Sequence, residues 1–116
     1  MIWLVLSATT MAATAIYHSY AGEKRIVRPL LSLDASLMTR PAMRRAVRVG
    51  WHMGSYFMAV CAVAVLWPHT PGGLVIAIGA AWVAIGSYIF IVRRGRHRGA
   101  VMLMAAGILA IAGVLA

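Results

Sequence analysis

Acidic residues are almost missing from this chain: Glu23 and Asp34 are the only two among 116. That scarcity leaves no pair of carboxylates to share acid and base duties. No phosphate-cradling glycine loop and no Ser/His/Asp set occurs either, so a non-catalytic protein is expected. There is one cysteine, Cys61, which excludes an intrachain disulfide and any cysteine-based metal motif. It falls within an apolar run, where a thiol acts as a small hydrophobe. The first 22 residues hold no fixed charge. A cleavable leader carries its positive charge ahead of the apolar run. Here Met1-Ile2-Trp3 leads straight into apolar residues, so no signal peptide is expected.

Apolar residues are abundant: they make up 63% of the chain, with a mean hydropathy of +0.88. Soluble domains are nearer half apolar and about a quarter charged, against 11% charged here. A soluble domain this small has no core large enough to hide so much apolar surface. A bilayer is the solvent that accommodates it. Four apolar spans of 18–20 residues stand out, Ile2–Tyr20, Val49–Trp67, Gly73–Val92 and Gly99–Ala116. A helix needs about 20 residues to cross the hydrocarbon core. The backbone there must find its partners internally, which predicts a helix for each span. The expected fold is a single all-α domain over 1–116, a bundle of four antiparallel transmembrane helices at about 2–20, 40–67, 73–92 and 99–116. No internal repeat is visible.

Charge fixes an expected orientation. All eleven Lys and Arg lie in two stretches, Lys24 to Arg48 and Arg93 to Arg98, and the net charge is +9. Basic loops stay on the cytoplasmic side, so both termini and the Pro68–Gly72 turn are expected outside the cytoplasm, in a bacterial inner membrane. That turn holds two prolines and a glycine and predicts a tight antiparallel pair of helices around it. The aromatics agree, with Trp3 and Trp67 at one interface and Tyr17, Tyr20, Trp51 and Tyr88 toward the other. No nucleic-acid module is present, and the RRGRHR run is a short loop pinned between apolar spans. The anions expected as partners are lipid headgroups.

The first loop is the long one. Gly22 predicts a helix stop, and Pro29 argues against the helix continuing. Leu30, Leu31, Leu33, Leu37 and Met38 then predict a segment lying on the membrane surface. Thr39 is the expected N-cap of the second helix, with Pro41 in its first turn.

Two histidines draw chemical interest. Ser7, Thr10, Thr14 and His18 share one face of the first helix, and Arg44, Arg48, His52 and Tyr56 share one face of the second. His18 lies five residues before Glu23 and His52 four after Arg48, so the rings match in depth. On facing helices two imidazoles could ligate haem or a transition metal. Arg44, Arg45 and Arg48 would then hold propionates, or else lipid phosphates. Glu23 is a further metal ligand only if the helix breaks at Gly22, because five residues turn it about 140° away from His18. The reading preferred over ligation is that both histidines are interfacial and hydrogen-bonded to Ser, Thr, Tyr or water. His69 and His97 are expected as solvated loop residues. Gly50 and Gly54 form a GxxxG that predicts close helix packing. Gly79 with Gly86, and Ala106 with Ala110, offer similar notches.

Four spans and small size superficially suggest the small multidrug transporters, but that family depends on an acid in its first span, and none stands here. His18-Ser19-Tyr20-Ala21-Gly22-Glu23, then Arg28-Pro29-Leu30-Leu31 and Arg48-Val49-Gly50-Trp51-His52, resemble a family of uncharacterised small bacterial four-helix inner-membrane proteins. Its pattern is roughly HSxxGE, a basic loop, then RxxWH, and it covers residues 18–52. The resemblance implies no activity; it marks His18, Glu23, Arg48 and His52 as the positions to test. The expected function is an accessory or structural subunit that packs against a larger membrane complex or itself. The alternative is an electron-transfer protein with haem or a metal at His18 and His52.

Overall fold

A computed structural model describes residues 1–116, which form helices and short connections with no strand. Helix α1 (Ile2–Gly22) passes without a break into a π-helical turn (Glu23–Val27) and then the four-residue α2 (Arg28–Leu31). Helices α3 (Pro41–Leu66), α4 (Gly72–Val92) and α5 (Arg98–Leu115) follow.

The expected stop at Gly22 does not occur. Gly22 is right-handed helical, at φ −66° and ψ −42°. Its missing side chain serves another end: a Cβ there would overlap the Trp51 indole. Pro29 does not end the helix either. It stands in the first turn of α2, where a missing N–H costs little. Just ahead of it, the Arg28 N–H reaches the Glu23 carbonyl, five residues back. This wide turn shifts the hydrogen-bond register where the proline ring would otherwise crowd the preceding turn. Val27 and Leu31 are buried and anchor the extension. Arg44 Nη1 closes its end, donating to the carbonyls of Leu31 (2.6 Å) and Met38 (3.3 Å). The exposed connection therefore starts later, with Leu33 and Leu37 facing outward. Arg40, not Thr39, is the N-cap of α3, in extended conformation with Pro41 behind it. Thr39 instead donates to the Ser36 carbonyl.

The helices pack in the order α3, α1, α5, α4, an open array of 52 × 32 × 19 Å. The expected tight pair of α3 and α4 is absent: the two barely touch. Each has a better partner. On α4, Gly79 meets Gly107 of α5 backbone to backbone, and Gly86 faces the Ala100 carbonyl. The polar stripe of α3 is taken up by α1. The gap between α3 and α4 is an apolar groove of about 340 Å³, lined by Phe57, Cys61, Ile78 and Trp82 among others.

Only 21 of 116 residues are buried, and 27 large hydrophobics face outward. Helices α3, α4 and α5 are long and apolar enough to cross a membrane. Helix α1 is as long as α4, but hydroxyls and His18 dilute its apolarity. The serine and threonine hydroxyls are satisfied within the protein. Thr9, Thr10 and Thr14 donate to carbonyls one turn back, and buried Ser7 donates to the Ala106 carbonyl of α5 (2.7 Å). Such internal pairing is what a low-dielectric surrounding requires.

Candidate functional site

The seam between α1 and α3 carries a continuous hydrogen-bonded chain. His18 Nδ1 meets Ser55 Oγ at 2.8 Å, Ser19 Oγ meets Ser55 Oγ at 2.8 Å, and Ser19 Oγ meets His52 Nδ1 at 2.8 Å. His52 Nε2 then donates to Glu23 Oε2 at 3.0 Å. The other carboxylate oxygen pairs with Arg48 (3.0 Å) and with Arg28 (3.6 Å). Helical spacing supplies the parts: Arg48, His52 and Ser55 lie four and three apart on α3, and His18, Ser19 and Glu23 come from α1 and its π turn.

His18 is fixed from two sides. Trp51 stacks on it, ring centroids 4.5 Å apart and planes within 4°. The same indole N–H donates to the His18 carbonyl at 3.0 Å. Gly54 lies against the imidazole edge, where a Cβ would stand 3.2 Å from Cε1. Gly50, the other half of the expected GxxxG, is exposed with nothing within 4 Å of such a position. The close glycine contact of this seam is Gly22 under Trp51.

The seam separates two spaces. On one side is an open groove lined by Ser19, Glu23, Arg28, His52 and Ser55. On the other is a cavity of about 310 Å³ lined by His18, Trp51 and Arg25, with Ile85 and Ile89 of α4. The π turn divides its charges between them, Glu23 toward the groove and Arg25 toward the cavity. His97 also lines the cavity, so it is not a freely solvated loop residue. Its Nδ1 accepts from the Ala100 N–H at 3.1 Å and caps α5, which leaves its proton on Nε2. His69 is exposed.

Glu23 reaches His52 without any helix break, and it does not bond His18. Partial burial would raise its carboxyl pKa, but hydrogen bonds from His52 and Arg48, with the charge of both, outweigh that and hold it below the ordinary value. Arg44 is spent on backbone carbonyls and Arg48 on Glu23. With Arg45 they border a shallow basic groove of about 360 Å³.

Both ring nitrogens of His52 and one of His18 are engaged in this chain. Ligation of haem or a metal by both rings would have to dismantle it. No three His, Cys, Asp or Glu side chains gather as a metal-binding group. The arrangement fits proton exchange better. In one ordering His52 carries protons on both nitrogens and donates to Ser19, Ser19 donates to Ser55, and Ser55 donates to His18. In the reverse ordering His18 donates to Ser55, Ser55 to Ser19, and Ser19 to His52. Every link is satisfied in both. They differ by one hop at each hydroxyl, which moves one positive charge from His52 to His18.

Sequence reasoning singled out both histidines but gave no role to Ser19, quoted only within the HSxxGE run, and missed Ser55. The signal for Ser55 was present, three residues after His52 on the same face.

No protein-family model, curated protein or solved structure matches the chain.

Proposed function

We propose that the chain is a small accessory subunit of a bacterial inner membrane, packing against a larger complex or itself, and that its α1–α3 seam is a proton relay. The observation that carries this reading is the uninterrupted run of hydrogen bonds from His18 to Glu23. A polar chain of this kind in an apolar protein is a functional site by default. Glu23, Arg28 and Arg48 form its outer end, where charge is abundant, and His18 forms its inner end at the cavity. The chain has no catalytic set of its own, so the reaction served belongs to a partner.

All four long helices cross the membrane in this reading, α1 being sheltered between α3 and α5. The basic loops face the cytoplasm and both termini face outward. Arg45, with the basic groove around it, meets anionic lipid headgroups.

Purification in mild detergent tests the proposal. A partner complex should co-purify, and Ser55→Ala should lower its proton-coupled activity while leaving the association intact. A chain that purifies alone as a monomer would sink the accessory reading. Undiminished activity with Ser55→Ala would sink the relay. A Soret band or stoichiometric metal would instead support the electron-transfer reading.

A further inference from the structure

The cavity beside His18 carries fixed charge of one sign. No carboxylate lines it. Arg25 does, exposed at its rim, and it makes neither an ion pair nor a side-chain hydrogen bond within the protein, whereas Arg28 and Arg48 both pair with Glu23. Three further polar groups converge at the same end. His18 Nε2 makes no hydrogen bond within the chain, because only Nδ1 is used. His97 keeps its proton on Nε2, its Nδ1 being the cap of α5. Tyr17 closes in at Gly99, where a Cβ would lie 3.5 Å from its ring and 2.8 Å from the His97 ring. The polar end thus offers one uncompensated cation and several groups able to donate.

The rest of the cavity is apolar, and it leads outward. Met58, Ile85 and Leu103 line both this cavity and the groove between α3 and α4. The two spaces are adjacent, with these three side chains as their common wall, and a chain lying along that wall would follow a path from the outer surface of the bundle toward Arg25. The path exists because α3 and α4 splay apart, each held by its other neighbour. A concave, mostly apolar site with a few convergent polar groups is the usual form of a ligand pocket.

We propose that this path binds an acyl-chain amphiphile with an anionic head, a carboxylate or a phosphate. The head sits at Arg25 with His18 and His97. The tail runs past Ile85 into the groove beside Trp82 and reaches the bilayer laterally. Charge complementarity selects the acidic head: Arg25 is unpartnered and no acid competes for it. The cavity, at about 310 Å³, lies at the small end of ligand pockets, which run from about 300 to 1,000 Å³. That favours one chain over two. The inference does not depend on the relay, since it uses the ring nitrogen of His18 that the relay leaves free.

Tryptophan quenching tests it in the full-length protein. Trp51 lines the head end and Trp82 the groove. With Trp3→Phe and Trp67→Phe as background, only these two indoles remain. The probes are 9,10-dibromostearic acid, its methyl ester, a brominated lysophosphatidylglycerol, and a short-chain quinone, each added to protein in an uncharged detergent. The proposal expects saturable quenching by at least one acidic probe, with the fatty acid and the lysophospholipid telling carboxylate from phosphate. The methyl ester should bind about tenfold or more weakly, as expected for loss of a charge-assisted contact. Arg25→Gln should weaken the acidic probe by a similar factor, and Arg25→Lys should restore part of it. Ile85→Phe, which adds bulk without adding an indole, should hinder tail entry and weaken saturation by the brominated chain. Equal binding of acid and ester, or no effect of Arg25→Gln, would overturn the anionic head. Saturable binding by the quinone alone would assign the site to a neutral ligand and also overturn it. Non-saturable quenching by every probe would mean there is no site.

Discussion

Trp51 lies flat on His18 while its indole N–H is bonded to that residue's own carbonyl, with ring centroids 4.5 Å apart and an N···O distance of 3.0 Å. One side chain therefore holds both the backbone and the ring of His18. That double hold aims Nδ1 at Ser55 and leaves Nε2 for the cavity. It is possible because Gly22, one turn further along α1, has no side chain in the way.

Gly22→Ala should be costly for this reason. The new methyl would overlap the indole, and a packed seam answers overpacking with about 1–3 kcal/mol of lost stability. Gly50→Leu should be nearly silent, because Gly50 faces outward with open space around it. Thermal unfolding in detergent, followed by tryptophan emission, compares the two. Equal loss in both variants would argue that Gly50 meets a partner chain.

Acid should weaken the outer end of the relay. The Glu23 carboxyl lies below its ordinary value in the folded protein. A depressed carboxylate contributes stability that is fully present above its unfolded pKa, about 4.3. That contribution fades as pH falls through the folded value. Wild type should therefore melt higher than Glu23→Gln at neutral pH, and the gap should close as pH drops below about 4. A gap that stays constant down to pH 3 would mean that Glu23 titrates alike in the folded and unfolded chain.

The architecture was legible in part. Residue type and run length located α3, α4 and α5 to within a residue or two, because apolar runs of that length have few other solutions. The end of α1 was not legible. Gly22 and Pro29 are ordinary stop signals, and only the π turn, the buried Val27 and the Arg44 cap carry the helix past them. The splay of α3 from α4 was hidden too. A short turn predicts adjacency in the chain, whereas contact went to the helices with matching notches and matching polar stripes. His18 and His52 were found from depth and periodicity. Ser19 was passed over because it sits a hundred degrees round α1 from the His18 stripe, on the side that α3 also covers.

The proposed orientation rests on where the basic residues lie. A reporter fused after Ala116 should be active only in a form that works outside the cytoplasm, since all eleven Lys and Arg lie in the two stretches assigned to the cytoplasm, Lys24 to Arg48 and Arg93 to Arg98. A C-terminal reporter active in the cytoplasm would overturn this orientation, because it would place both basic stretches outside. Whether α1 crosses is read at the other end: with α3, α4 and α5 apolar enough to span, a reporter ahead of Met1 that is active in the cytoplasm would mean that α1 does not cross.

Proton transfer between His18 and His52 through Ser19 and Ser55 is the step on which the proposed relay stands. It can be read directly by 15N exchange spectroscopy on histidine-labelled protein in micelles, which follows protonation at each Nδ1. Measurable proton exchange between the two rings is expected in the wild type. Ser55→Ala should slow it by roughly a hundredfold or more, the scale of a lost proton-transfer group. Ser55→Thr, which keeps a hydroxyl, should restore most of it. Exchange that is absent in the wild type, or that runs at the same rate in Ser55→Ala, would contradict the relay.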